Sequence, residues 1–248
     1  MIDTHNHILF NVDDGCKTID ESIILLKKME KLGFNKIILT PHYIKNTKYI
    51  INNIEKESKL NQLKEKIKEK QINIELYLGN EIFITDNIVD LLKYDNISSI
   101  NKSRYVLIEL PFKNEIIGLT DILYELKYNK LIPIIAHPER YTYFQNDVTK
   151  IDELREDGIL FQVNYASILG LYGRKSKKTI KYLLKNGYVD FFGTDVHRIT
   201  KTDILDKFKK IEKKIIRIIG PEEYQKIIIN GEKIINNKDV QIGPKFSD

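Results

Sequence analysis

The chain has one cysteine, Cys16. No intramolecular disulfide can staple it, and the sequence suits a reducing compartment. Neither a CxxC pair nor a CxxxxxR phosphatase loop surrounds that residue, so thiol chemistry is not expected. Long apolar runs are lacking too: nothing approaches the roughly 18 consecutive apolar residues of a membrane span. The start of the chain has no cationic stretch leading into the apolar core of a secretion signal. A cytoplasmic, non-spanning protein is expected. Nor is charge of one sign in large excess: Lys+Arg 40 against Asp+Glu 35 gives a formal +5. Runs such as KESKLNQLKEKIKEK alternate in sign and read as solvated helix faces, so no nucleic-acid partner is expected. The absence of internal repeats, low-complexity tracts and Pro/Gly-rich linkers predicts one domain over residues 1–248.

What is present is ample for a core: 248 residues, 42% hydrophobic. Short apolar runs recur as strand candidates at 1–8, 35–41, 73–81, 104–110, 131–137, 159–164 and 188–195, with helical stretches between them. That alternation predicts an α/β fold with a parallel sheet covered by helices. Thr18 with Glu21 and Thr149 with Asp152 have capping-box spacing. Leu25, Met29 and Leu32 repeat at helical spacing, so Met29 is core, and Gly33 and Gly158 mark helix ends. Residues 49–70 read as a long charged helix, Thr200 onward as another, and PEEYQKIIIN as a terminal one.

The polar residues share an address. His5 and His7 lie in or just beyond the first run, His42 follows the second and Glu81 the third. Glu109 ends the fourth run, His137 the fifth, and Asp195 with His197 leaves the seventh. In a barrel those strand ends converge on one mouth, where active sites are usually built. All five histidines of the chain fall there. His5 and His7 have period-two spacing, which puts both imidazoles on one face of an extended segment. With Asp14, Glu81, Glu109 and Asp195 they exceed the ligand needs of one ion, so two or three divalent ions are implied. Three such ions against four ligand carboxylates would leave about +2 before any bridging hydroxide, a charge suited to a phosphate dianion. Phosphoester hydrolysis with a metal-activated water is the chemistry favoured. Arg140 and Arg198 are the candidate phosphate clamps.

The stretches IDTHNH, VDDG at 12–15, TPHY at 40–43, GNE at 79–81, IEL at 108–110, AHPERY at 136–141 and GTDVH at 193–197 resemble the polymerase-and-histidinol-phosphatase (PHP) superfamily. Within it, the chain resembles the Gram-positive-type manganese-dependent protein-tyrosine phosphatases found with capsular or exopolysaccharide biosynthesis. The likeness runs through nearly the whole chain in the same order. It implies a distorted TIM-like (β/α)7 barrel, the PHP fold, with a trinuclear site. Carried over, His5, His7, Glu81 and Asp195 would hold the first ion. Glu81, Glu109 and His137 would hold the second, and Asp14, His42 and His197 the third. A bridging hydroxide would attack phosphorus while Arg140 and Arg198 bind the phosphate. Manganese is the expected ion, with iron, magnesium or zinc admitted by the same ligands.

The resemblance further implies a phosphotyrosine protein as substrate, namely the tail of a membrane-associated tyrosine kinase that controls polysaccharide synthesis. Self-association, as a homo-oligomer, could position the mouths around such a tail. Histidinol-phosphate phosphatase, or another small phosphomonoesterase of the same superfamily, is the alternative. Asp3 and Asp13 are expected to orient ligand histidines, with Asp14 rather than Asp13 as the ligand. Asn6 should point away from the ions, Asn164 could face the site or make a structural hydrogen bond, and Tyr141, Tyr143 and Phe144 could wall a phosphorylated ring or equally pack beneath the loop.

Overall fold

The computed structural model describes residues 1–94, 96–200 and 203–241. The unit expected over 1–248 therefore extends into 242–248, which lie outside the described residues, as do 95 and 201–202. The strands are β1 (Ile2–Asp3), β2 (Lys36–Leu39), β3 (His42–Tyr43), β4 (Glu75–Leu78), β5 (Glu81–Phe83), β6 (Tyr105–Glu109), β7 (Ile132–Ala136), β8 (Leu160–Asn164) and β9 (Phe191–Gly193). The longer helices between and after them are α1 (Ile19–Leu32), α2 (Asn53–Glu69), α3 (Ile88–Lys93), α4 (Leu119–Tyr128), α5 (Thr142–Asn146), α6 (Thr149–Glu156), α7 (Arg174–Lys185), α8 (Asp203–Asp206), α9 (Phe208–Ile219) and α10 (Pro221–Ile235). Every pairing among the described strands is parallel, in the orders β1-β2-β4 and β3-β5-β6-β7-β8-β9. Strands such as β6 and β8 are buried at every position, as a parallel sheet covered by helices requires.

Two expected runs stop short, and a further short strand follows each after a break. At Thr40 and Pro41, β2 gives way to β3, and at Gly79 and Asn80, β4 gives way to β5. The two short sheets are thus successive lengths of one curled surface. Proline removes a ladder donor at the first break. At the second, Asn80 donates Nδ2 to Pro41 O instead of continuing a regular strand. The opening run is shorter than expected, since only Ile2–Asp3 pairs regularly. Residues 4–7 instead cross between the ends of β2 and β9. Thr40 N donates to Asn6 O (3.1 Å), Asp195 N to His5 O (2.8 Å) and His7 N to Val196 O (2.9 Å). The sheet curls without closing completely, a distorted PHP-type barrel whose C-terminal strand edges face inward on one end.

Helix boundaries follow their side chains. Thr18 caps α1 by accepting from Glu21 N, while Glu21 reaches back to Lys17 N, one residue earlier than a reciprocal box would place it. Gly33, at φ 97°, ends that helix. Met29 is fully buried in the core. The box expected at Thr149 and Asp152 does not form: Thr149 N and Oγ1 both donate to Asp147 Oδ1, and Asp152 Oδ1 accepts from Tyr182 OH. The long charged helix starts at Asn53, later than expected, with Asn52 accepting from Glu55 N. Among the described residues, no helix is long and apolar enough to cross a membrane.

Candidate metal centre

Strand geometry delivers the site. His42 begins β3, Glu81 begins β5, Glu109 ends β6 and His137 follows β7. Asp195 and His197 follow β9, and residues 5–14 run along the adjoining edge. Two of these residues sit at backbone angles that side-chain-bearing residues seldom adopt: His137 at φ 33° and Asp195 at φ 53°. Such strain is retained where the surroundings over-determine it. Two glycines allow the close approach. A Cβ on Gly15 would stand 2.0 Å from His7 O, and one on Gly193 would stand 2.5 Å from His5 Cβ.

The two opening histidines converge. His7 Nε2 lies 3.3 Å from His5 Nε2, and Glu81 Oε2 is 3.2 Å from the first ring and 3.3 Å from the second. Asp195 Oδ1 completes the group at 3.8 and 3.5 Å. His5 Nδ1 meets Gln162 Oε1 at 2.7 Å, while Gln162 Nε2 donates to Asn164 Oδ1, so that oxygen is an acceptor and His5 Nδ1 is the donor. His7 Nδ1 likewise donates to the Asp13 carboxylate at 2.7 Å. With both Nδ1 atoms acting as donors, the two Nε2 atoms are turned toward one point beside two carboxylates. That arrangement is repulsive unless positive charge lies among them.

Around Glu81 the others gather. His137 Nε2 is 2.8 Å from Glu81 Oε1 and 3.8 Å from Glu109 Oε1. His42 Nδ1 is 3.0 Å from Glu81 Oε2 and 3.7 Å from Glu109 Oε2. Asp14 Oδ1 stands 3.7 Å from His42 Nε2 and 3.6 Å from His197 Nε2. Three groups have ligand atoms close enough to share an ion: His5, His7 and Glu81; His42, Glu81 and Glu109; and His7, Asp14, His42 and His197. All nine expected ligands are thus brought to one place. Their partition is less tidy than the resemblance implies, since His42 also meets the second group and His7 the third.

The electrostatics of the cluster make the same demand for positive charge. Burial, and then Glu81, push the Glu109 carboxyl up to about 8. Burial would lower His5, yet Glu81 and Asp195 outweigh it and lift the ring to about 9. Burial and the neighbouring Arg140 bring His137 down to about 4. Asp14 Oδ1 and His137 Nδ1 are buried with no hydrogen-bond partner, a cost that ligation relieves. Imidazole and carboxylate without thiolate fit manganese, iron, magnesium or zinc.

The supporting residues are partly those foreseen. Asp13 accepts from His7 Nδ1 and from His42 N. Burial opposes its charge, but His7 outweighs burial and draws the carboxyl down to about 2. Asp3 touches no ligand ring: it accepts from Thr194 N, Thr194 Oγ1 and Asn6 Nδ2, fixing the two segments that carry His5, His7 and Asp195. Asn6 turns away from the cluster to Asp3 and Ile38 O. Asn164 faces the site, donating Nδ2 to Asp195 Oδ2 at 2.7 Å. Behind it stands Glu139, given no role from the sequence, which accepts from Asn164 N and Ser167 Oγ and is pushed up to about 7 by burial.

A cavity of about 510 Å³ opens over the cluster, lined by Arg140, Phe112, Leu171, Tyr172 and Ile204 together with ligand side chains. Arg140 Nη1 donates to Asp195 Oδ2 at 2.7 Å, and its guanidinium lies 4.8 Å from the Phe112 ring and 4.3 Å from that of Tyr172. Arg198 does not line this cavity; its Nε donates to Asp14 O at 2.8 Å. Of the two readings of Tyr141, Tyr143 and Phe144, a wall or packing beneath the loop, the structure shows the packing. Tyr141 is fully buried, donating to Ala136 O and accepting from Leu110 N, and its two neighbours pack with it. Phe112 and Tyr172 are the aromatic residues that line the cavity. Cys16 is fully buried and its thiol is pushed up to about 12 by burial, so it is no nucleophile.

Comparison with known proteins fits this geometry. The family model described as capsular polysaccharide synthesis, CpsB/CapC, matches residues 1–236. CapC of Staphylococcus aureus is 38% identical over 241 residues, covering 97% of this chain and 93% of that protein. The tyrosine-protein phosphatase CpsB of Streptococcus agalactiae is 28% identical over 244 residues, covering 96% and 99%. A solved structure from work on YwqE of Bacillus subtilis and CpsB of Streptococcus pneumoniae, described as metal-dependent tyrosine phosphatases, superposes with a TM-score of 0.89. It is 25% identical to this chain, over 99% of this chain and 98% of its own.

Proposed function

The chain belongs to the CpsB/CapC family of capsular polysaccharide synthesis, and from that membership and its site we infer a metal-dependent protein-tyrosine phosphatase. The observation that carries the reading is the convergence of five histidines and four carboxylates beneath a cavity that also holds Arg140. In this proposal His5, His7, Glu81 and Asp195 hold one ion, Glu81, Glu109 and His137 a second, and Asp14, His42 and His197 a third. Manganese is the ion we favour. Bound there, such ions supply an acidified water as nucleophile and positive charge for the phosphate oxygens.

The chain's own groups do the rest. Asp13 and Gln162 fix the His7 and His5 tautomers, so each ring presents Nε2 to the cluster. Arg140, held by Asp195 and flanked by Phe112 and Tyr172, offers its remaining donors to the phosphate. Arg198 acts from the Asp14 loop that it pins, as the second phosphate-binding arginine in the proposal. Phe112, Tyr172 and Leu171 give the phosphorylated ring an apolar wall. Attack at phosphorus breaks the bond to the phenolic oxygen, and the products are inorganic phosphate and tyrosine. Free tyrosine has a pKa of about 10, so the phenolate leaves far more readily than the alkoxide of an alkyl phosphate. The substrate we propose is the tyrosine-phosphorylated tail of a membrane-associated kinase that governs polysaccharide synthesis, met on the cytoplasmic side.

The test is a comparison of manganese-loaded protein on a phosphotyrosine peptide and on histidinol phosphate. A kcat/KM favouring the peptide is expected. Rapid turnover of histidinol phosphate with an inert peptide would move the protein to small-molecule metabolism.

A further inference from the structure

Helices α7 and α9 pack side by side on the flank of the fold and concentrate its positive charge. Their sequences, RKSKKTIKYLLK and FKKIEKKIIRII, carry eleven cations and one carboxylate. Those two helices are thus at +10 in a chain whose formal total is +5, which leaves the remainder at −5. The cations are not scattered. Lys178, Lys181 and Lys185 of α7 face Lys214 and Arg217 of α9 across a groove whose floor is Tyr182 and Ile218. Tyr182 OH is engaged by Asp152 on the far side, and among the described residues no carboxylate lies within ion-pair distance of those five cations. Lys177, Lys181 and Lys210 are near enough to Lys214 to add to the burial that lowers its pKa. Lysines that repel one another at a surface cost stability, and an incoming anion relieves that cost.

The groove also leads somewhere. The Lys177 stem packs on Gly170, where an added Cβ would meet Lys177 Cδ at 3.3 Å. Leu171 and Tyr172, the next two residues, line the cavity over the metal cluster, and α7 begins two residues later, at Arg174. The cationic strip thus descends from the mouth along α7. Twelve helical residues span roughly 16 Å, which about five extended residues would cover.

We propose that this groove is a docking site for an acidic segment of the phosphoprotein substrate, lying alongside the phosphotyrosine held at the mouth. The inference rests on the phosphatase reading and adds the substrate's chemical class: a tyrosine flanked, several residues away, by glutamates or aspartates. A concave track with cationic rims and a narrow apolar floor takes a polypeptide, with acids to both rims and its backbone over Tyr182 and Ile218. A planar bilayer would meet the rims and leave the floor uncovered. Lysines outnumber arginine here, which suits carboxylates in varied register more than one fixed bidentate partner.

The test uses two fluorescent phosphotyrosine peptides of equal length, one with glutamates four to eight residues from the phosphotyrosine on either side, the other with glutamines. Each is assayed with manganese-loaded wild type and with a Lys178→Glu/Lys181→Glu/Lys214→Glu variant. In wild type at low salt the glutamate peptide should have a KM lower by about tenfold, three exposed ion pairs' worth, with kcat unchanged. The variant and high salt should erase that difference while the glutamine peptide is turned over as before. Equal KM values in wild type, or a preference that survives charge reversal, would overturn the proposal. So would binding of the lysine face to vesicles of anionic phosphatidylglycerol with no preference between peptides. If neither peptide is hydrolysed, the phosphatase reading falls by itself. Anisotropy with the unphosphorylated glutamate peptide then decides the groove: binding by wild type and not by the variant upholds it, and absence of binding refutes it.

Discussion

At the scale of single residues, the account turns on what holds each imidazole. Asp13 does two things with one oxygen, taking the proton of His7 Nδ1 and the backbone N–H of His42. Asp13→Asn keeps the shape but removes the charge, and metal affinity and kcat should each fall about 10- to 100-fold; an unchanged metal titration would rule that role out. Arg140→Ala should cut turnover by more than it cuts metal content, and Tyr172→Ala should raise KM for aryl phosphates while sparing the metal. Kinetics paired with metal analysis separate the two. The ligand histidines were legible in the sequence because there are only five and all fall at the ends of apolar runs. Phe112, Tyr172 and Glu139 were not. An aromatic or acid in a connecting loop carries no periodic signal, and only the fold shows that Tyr172 faces the cavity while Tyr141 is sealed beneath it.

At the scale of elements, hydrophobic runs foretold the strand order but not its interruptions. The runs 35–41 and 73–81 read as single strands, yet Pro41 and Asn80 divert the backbone bonds, and pairing resumes beyond them in β3 and β5, which carry His42 and Glu81. The hydrophobicity of a run is silent about such a break. Farther from the site, Arg155 of α6 donates Nη1 and Nη2 to Asp190, and Asp190 also accepts from Phe161 N of β8. Both side chains are nearly out of solvent. Arg155→Met strands that carboxylate, and unfolding free energy should drop by about 3 kcal/mol with little change in KM for the folded protein. A melting temperature equal to wild type would show that the pair contributes nothing.

At the scale of the whole molecule, residues separated by nearly 200 positions meet at one cluster, because parallel strands run their C-terminal ends to the same edge. Ions there bind the folded chain and not the unfolded one. Manganese at a hundred times its dissociation constant should therefore add about 2.7 kcal/mol, read as a rise of several degrees in melting temperature that a chelator reverses. The most direct measurement is a manganese titration of chelator-stripped protein in which bound metal and phosphotyrosine-peptide hydrolysis are followed together, with Glu81→Ala and Cys16→Ser alongside. Activity in wild type and Cys16→Ser should be absent in the stripped state and return as up to three ions bind, while Glu81→Ala binds fewer and stays inactive. Full turnover by stripped protein, or its loss in Cys16→Ser with metal still bound, would contradict the account.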